Sequence, residues 1–197
     1  MKIILDGMGG DNAPFSVVEG AVLASRETQH HICIIGQEEL IIPELKKYKY
    51  ESEKISVINA TQVISNDDAP VRAVRSKKDS SIVKGINMVK NGEGDIFISA
   101  GSTGALLAGG LFILGRIQGI DRPALASVYP IVGGIPSLLV DAGANADCKP
   151  NNLLEFGIMG NIYMEKVIGR KDPKVGLVNI GAEAAKGSTL TKAAYDL

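Results

Sequence analysis

The sequence predicts an α/β fold: a mainly parallel sheet covered by helices on both faces, with a hairpin inserted late in the chain. Three observations carry that prediction. Short apolar runs recur at residues 3–5, 32–35, 55–58, 96–98, 138–140 and 175–180, and they are continuous rather than alternating, as in strands buried on both faces. Segments with helical spacing lie between them, the order that builds a parallel sheet. Glycine-rich polar loops follow several of the runs.

The elements follow in order. Run 3–5 ends in Asp6 and a glycine loop, and Pro14 sits near the start of a helix, where a missing N–H costs nothing. Phe15, Val18 and Val22, with Val17, Ala21 and Ala24, form the apolar face of that helix. Runs 32–35 and 55–58 come next as strands. Ser80 or Ser81 caps a second helix, in which Ile82, Ile86 and Val89 share a face and Asn91-Gly92 closes the end. Residues 103–115 are apolar all round, the pattern of a buried helix. Residues 124–132 and 137–141 are extended runs joined by Gly133-Gly134-Ile135-Pro136, which suits a hairpin and mixes the sheet. Pro150 opens a further helix with Leu154, Ile158 and Ile162 a turn apart. Run 175–180 reads as another strand, and Ser188 caps a last helix from Thr189 onward. That helix meets no stop signal by Leu197, so the pattern predicts more chain downstream. No internal repeat or linker divides residues 1–197, which read as a single α/β domain.

Composition narrows the function classes. Hydrophobic residues make up 45% of the 197 and charged residues 22%, which excludes disorder, collagen and coiled coil. With 21 Lys and Arg against 22 Asp and Glu, the net charge of −1 gives no global attraction to nucleic acid or anionic lipid. There are 23 glycines and no Trp, favouring tight backbone turns over aromatic binding surfaces. Cys33 and Cys148 lack the spacing of a disulfide framework or a zinc site, so a reducing cytoplasm is the expected compartment. The N-terminus turns acidic too soon for a signal peptide, and the most apolar stretch is too short for a membrane span.

Four loops share the order strand, small polar residues, helix. They are Asp6-Gly7-Met8-Gly9-Gly10-Asp11-Asn12, Ser99-Ala100-Gly101-Ser102-Thr103-Gly104, Asp141-Ala142-Gly143-Ala144-Asn145-Ala146-Asp147 and Asn179-Ile180-Gly181-Ala182-Glu183. Parallel strands place such loops at one edge of a sheet, where ligands of α/β proteins bind. Glycines admit a ligand to the backbone, and unpaired N–H groups attract anions. Lys149 and Lys186 follow two of the loops and offer countercharge. An anion-binding cleft is the expectation. Two nucleotide motifs fail: the first loop has Asn12 where a dinucleotide fingerprint needs glycine, and Lys186-Gly187 reverses the P-loop order.

The opening Asp6-Gly7-Met8-Gly9-Gly10-Asp11-Asn12-Ala13-Pro14 resembles the bacterial phosphate acyltransferases of phospholipid synthesis, the PlsX family. Further family-like segments follow in order: Pro70-Val71-Arg72-Ala73-Val74-Arg75-Ser76-Lys77-Lys78, the Ser99 loop, Gly119-Ile120-Asp121-Arg122-Pro123-Ala124-Leu125-Ala126, Asp141-Ala142-Gly143-Ala144-Asn145, Lys149-Pro150, Met159-Gly160 and Gly176-Leu177-Val178-Asn179-Ile180-Gly181 with Lys186-Gly187. The resemblance implies transfer of a long-chain acyl group from acyl carrier protein to inorganic phosphate, with no organic cofactor. It also implies a fold like that of phosphotransacetylases and isocitrate-dehydrogenase-like enzymes, a homodimer, and a downstream membrane acyltransferase as a partner. Family members continue beyond Leu197, so these residues are expected to be the N-terminal portion. Peripheral membrane association would then rest on features outside them. Ser102 stands where members usually have Asn, Asn151 and Glu155 replace Glu and Gln, and Ala182 lies where a polar residue is common.

The residues suit that chemistry. Phosphate is substantially a dianion near neutral pH and attacks a thioester without a side-chain nucleophile, so the site must bind anions, align them and stabilise an oxyanion. The resemblance implies catalytic roles for Asp11, Asn12, Asp141, Asn145 and Lys149, and phosphate contacts for Gly9, Gly10, Ser99, Gly101, Ser102, Thr103 and Lys186. Ser99, Ser102 and Thr103 precede a helix, so capping competes with phosphate contact. The basic run Arg72, Arg75, Lys77 and Lys78 is either a solvated face or a docking surface for an acidic carrier. His30 and His31 read as surface residues, Cys148 as a bystander and Asp67-Asp68 as a solvated turn. No metal set has adequate spacing. Two rivals stay open: a phosphotransacetylase acting on small acyl-coenzyme A, and an inert module that binds carrier protein or a partner enzyme.

Overall fold

The computed structural model describes residues 1–183 and 185–197. The chain divides into two compact units, Met1–Gly115 and Arg116–Leu197.

The first unit contains β1 (Lys2–Asp6), α1 (Phe15–Glu27), β2 (His31–Gly36), α2 (Glu38–Leu45), β3 (Ile55–Asn59), α3 (Pro70–Ser76), α4 (Ser81–Lys90), β4 (Ile96–Ile98) and α5 (Thr103–Gly109), which runs into a π turn over Gly110–Leu114. The four strands form one parallel sheet in the order β3-β2-β1-β4, with Ile4 opposite both Cys33 and Phe97. Alternation along the strands sorts the side chains onto two faces. Ile32 and Ile34 of β2 join Val18 and Val22 of α1 and Ile41 and Leu45 of α2 on one face. Cys33 and Ile35 meet Ile4 and Met88 of α4 on the other. A third cluster joins Val74 of α3, Ile82 and Ile86 of α4, and Ala105 and Ala108 of α5. The sheet is thus doubly covered, as its continuous apolar strands predict. Ile34 is fully buried, and cutting such a side chain to alanine costs about 2–5 kcal/mol.

Local chemistry accounts for most of the boundaries. Ser80 Oγ accepts from the Val83 N–H at 3.3 Å and starts α4, and Gly92, at φ +75°, follows its end. Helices α2 and α3 carry no such signal. Pro43 lies inside α2 and removes one of its donors, and neither helix has a side-chain cap. Phe15 corrects the expected face of α1: it is exposed at the first position, with Lys47 Nζ 5.7 Å from its ring centre. The buried helix expected over 103–115 also needs correction. Ala105 and Ala108 are buried, but the Gly115 N–H reaches back five residues to the Gly110 carbonyl at 2.9 Å, and Phe112 and Leu114 are exposed.

The second unit holds β5 (Ala126–Tyr129), β6 (Ser137–Val140), α6 (Pro150–Lys166) and α7 (Thr189–Tyr195). The expected hairpin is present: β5 and β6 pair antiparallel, Ala126 opposite Val140. Run 138–140 therefore belongs to this ribbon, not to the parallel sheet. Run 175–180 forms no strand: among the described residues nothing pairs with it, and Val178 and Ile180 are exposed. Apolar composition alone does not make a strand, because the ladder needs a partner. In α6 the stripe Leu154, Ile158 and Ile162 is exposed, while Asn152, Phe156 and Met164 are buried, so the helix turns a different face inward from the one its spacing suggests. Ser188 Oγ accepts from the Thr191 N–H and caps α7 as expected. No helix among the described residues is long and apolar enough to cross a membrane.

Candidate functional site

In the first unit, two of the four predicted loops meet. Asp6 closes β1, and its carboxylate is almost wholly buried. One oxygen accepts from the Met8 N–H at 3.0 Å and the other from Ser99 Oγ at 2.6 Å. Ser99 Oγ in turn accepts from the Gly101 N–H at 3.0 Å. The chain from Met8 through Asp6 and Ser99 to Gly101 ties the end of β1 to the end of β4.

Gly9 fits inside that tie only because it has no side chain. A Cβ there would lie 2.6 Å from Asp6 Oδ2 and 2.7 Å from the Gly101 nitrogen. Gly10, at φ +100°, continues the turn in a conformation that suits glycine. Gly9, Gly10, Ser99 and Gly101 are therefore neighbours, as the shared sheet edge predicts. Asp11 and Asn12 follow on the surface, and among the described residues neither side chain makes a hydrogen bond. The Asn12 carbonyl accepts from the N–H and hydroxyl of Ser16. Ser102 is buried, and its oxygen accepts from the Ala105 N–H at 3.3 Å, so it caps α5; Thr103 beside it is exposed. Asp6 is the residue the sequence reading missed. It stands in the quoted motif, but only the structure shows its carboxylate turned inward onto Ser99.

In the second unit, Asp141 organises its own loop. Its Oδ1 accepts from the N–H groups of Leu125 at 2.7 Å and Ala144 at 3.3 Å. Its Oδ2 accepts from Asn145 twice, at 2.7 Å from the backbone and 3.1 Å from the side-chain amide. Burial pushes the Asp141 pKa up, but the donors from Leu125, Asn145 and Ala144 together outweigh it and hold the carboxyl below its ordinary range. Asn145 also donates to the Pro123 carbonyl at 2.9 Å. Asp141 and Asn145 are in direct contact, and both bind the loop to the segment that leads into β5.

Lys149 stands at the N-cap of α6 with its side chain exposed. Its backbone N–H donates to Asn152 Oδ1 at 2.9 Å, so its anchoring is through the main chain and its ammonium is spared. Asn152 is buried and also donates to Asp121 Oδ2 at 3.2 Å. Asp121 accepts from Arg116 and gives its N–H to Glu155 Oε2 at 2.8 Å, while Arg122 donates to the Asp147 carbonyl at 2.6 Å. These five side chains were not chosen from sequence. The signal available was the position of Asn152 three residues after the cap, where a side chain reaches back to the cap N–H. Lys186 lies in a different loop, exposed, with its N–H on the Glu183 carbonyl and its own carbonyl near the Asn179 amide.

The remaining residues weighed from sequence find plainer surroundings. His31 has Nδ1 3.0 Å from the Glu53 carbonyl and Nε2 2.8 Å from Ser56 Oγ, so it links β2 to the β3 region. Asp68 is more than a solvated carboxylate: it accepts from Ser65 and pairs with Lys77 at 2.6 Å. The Lys77 and Ser65 contacts lower its pKa from the ordinary value. Cys148 is half-buried, with Sγ 3.9 Å from the Asn145 carbonyl.

Known proteins place this chain. It is 60% identical over 197 residues to a phosphate acyltransferase of Alkaliphilus oremlandii (strain OhILAs), and the match covers all of this chain and 58% of that protein. A phosphate acyltransferase of Clostridioides difficile (strain 630) is 54% identical over 196 residues, again with all of this chain and 58% of the relative covered. The chain thus spans a little under three-fifths of the length of these relatives. Among solved structures, a phosphotransacetylase from Streptococcus pyogenes superposes with a TM-score of 0.68 at 22% identity, over 96% of this chain and 60% of that one. The EutD phosphotransacetylase from Staphylococcus aureus gives 0.67 at 20% identity, over 100% and 62%. These likenesses bear out the expected fold. The family model described as "Fatty acid synthesis protein" matches residues 1–197, end to end, and the chain belongs to that family.

Proposed function

We propose that the chain is part of a phosphate acyltransferase that moves a long-chain acyl group from acyl carrier protein to inorganic phosphate, yielding an acyl phosphate for phospholipid synthesis. The observation that supports this most is the 60% and 54% identity, over the whole chain, with relatives named phosphate acyltransferase. A phosphate oxygen attacks the thioester carbonyl, a C–O bond forms, the C–S bond breaks, and the carrier thiolate leaves to take a proton from solvent. Nothing in that step needs a side-chain nucleophile; it needs anion binding and alignment.

In this reading Gly9, Gly10, Ser99, Gly101, Ser102 and Thr103 form a phosphate-facing surface in the first unit. Asp6 acts as its positioning residue, holding the Ser99 hydroxyl and the turn at Gly101. Asp11 and Asn12 are available at the surface for ligand contact. In the second unit Asp141, itself an anion, serves by orienting Asn145 rather than by touching phosphate, and Lys149 and Lys186 supply positive charge. The protein works as a homodimer on the cytoplasmic side, meets the membrane peripherally, and hands its product to a membrane acyltransferase.

The test is phosphate-dependent thiol release from long-chain acyl carrier protein, with hydroxylamine trapping the acyl phosphate. It is run on this chain and on the full-length Alkaliphilus relative. Acyl hydroxamate that rises with phosphate is expected from the relative at least. Thiol release indifferent to phosphate, or a preference for acetyl-coenzyme A as donor, would overturn the reading.

A further inference from the structure

Beside the loop at Ser99 lies a groove of about 600 Å³ that the proposed chemistry does not use, lined by Ala69, Pro70, Val71, Arg72, Arg75 and Ser76. Its lining is apolar except at the two arginines and Ser76. Pro70 packs so close to Gly104 that a Cβ there would lie 2.7 Å from Pro70 Cγ, so the groove adjoins the loop that carries Ser102 and Thr103. Arg72 and Arg75 are three residues apart on α3 and both are exposed. Among the described residues neither guanidinium makes an ion pair, whereas Lys77 of the same basic run is engaged by Asp68 and the Val63 carbonyl. The Arg75 guanidinium lies 5.3 Å from the centre of the Phe112 ring, and Phe112 and Val71 both expose apolar surface.

Two guanidiniums without an ion pair beside exposed apolar surface are the complement of a carboxylate-rich surface with an apolar side chain at its centre. We infer that the α3 groove, with Arg72 and Arg75 as its charged rim and Val71 and Phe112 as its apolar contact, is the docking surface for the acidic carrier protein that delivers the acyl group. The inference rests on the function proposed above and adds to it a place on this chain. Docking there sets the tethered thioester down next to the Ser99–Thr103 loop.

The experiment titrates fluorescently labelled acyl carrier protein against the 197-residue chain, its R72E/R75E variant, and a K46E/K49E variant. The last makes the same charge change around α2, on the opposite face of the sheet. Far-UV circular dichroism and melting check that each protein is folded, and R72Q/R75Q replaces R72E/R75E if reversal unfolds the chain. Binding weakened by about tenfold or more in the arginine variant alone, with an affinity that falls as salt rises, is expected. Equal weakening in both variants, no weakening in either, or no carrier binding by the wild type would overturn the inference. So would arginine-dependent binding confined to phosphatidylglycerol vesicles. Acyl-phosphate formation is scored separately. Arginine-dependent binding without turnover, even in the full-length relative, removes the acyl-transfer reading and keeps the surface. Turnover with unchanged binding does the reverse.

Discussion

The Asp6 carboxylate at the end of β1 accepts a 2.6 Å hydrogen bond from Ser99 at the end of β4, across 93 residues of sequence. Both strands are neighbours in the sheet, so the bond continues below the ladder what the ladder began. Because Asp6 is buried and charged, its donors are not optional: a buried carboxylate left short of partners is costly.

Ser99→Ala should therefore destabilise the first unit by about 1.5–3 kcal/mol, the range for a lost hydrogen bond to a charged group. Urea denaturation followed by circular dichroism reads the midpoint. A midpoint equal to wild type would show that water replaces the serine at no cost and that the tie is incidental.

Gly9→Ala is a sharper probe of the same place. The new methyl would press on Asp6, on Ser99 and on the backbone of Gly101 at once, and backbone cannot turn aside as a long side chain can. Overpacking of this kind typically costs about 1–3 kcal/mol. Phosphate-dependent turnover in the full-length relative should fall with the corresponding substitution even where the melting temperature is held by stabilising salts. Full activity would mean that the two loops need not touch.

Asp141 makes the pH response of the second unit predictable. Its folded pKa lies below the unfolded value, so its contribution to stability is complete above the ordinary carboxylate range and is lost as pH falls through the folded value. Comparing urea midpoints from pH 6 downward for wild type and Asp141→Asn should show the wild-type advantage shrinking in acid. An advantage that stays constant with pH would assign the loop's stability to its backbone alone.

Lys149→Ala separates charge from architecture. The residue's structural bond is made by its N–H, which alanine keeps, so folding should be unchanged. If the ammonium binds phosphate, the phosphate KM of the full-length relative should rise roughly tenfold at similar kcat, the loss of one charge-assisted contact. An unchanged KM would withdraw Lys149 from the site.

Much of the architecture was legible, because the signals were local or periodic. Ile32, Cys33, Ile34 and Ile35 announce a strand buried on both faces, and Ser80 with Asn91-Gly92 brackets α4. The signals failed where structure depends on a distant partner. Val178 and Ile180 are apolar enough for a strand but find no ladder among the described residues, and Leu154, Ile158 and Ile162 match a helical stripe yet face outward. Helix α2 was hidden by its own Pro43. The candidate site divides in the same way. Glycines and polar loop residues mark where the strands end, so Gly9, Ser99, Gly101, Asp141 and Asn145 were recognisable. Asp6, Asp121 and Asn152 were not, since what distinguishes each is the direction of a side chain towards a residue far along the chain.

The π turn at Gly110–Leu114 sets what lies beside Arg75. An extra residue within one turn shifts the angular position of everything after it by about 100°. Removing Leu111 would restore ordinary α winding, move the Phe112 ring into the place Leu111 now holds, and take it away from the guanidinium. The contact between the Phe112 ring and Arg75 thus depends on chain count and not on residue type. Conservative substitutions along α5 would leave that contact intact, and a single deletion would remove it without changing any residue of α3.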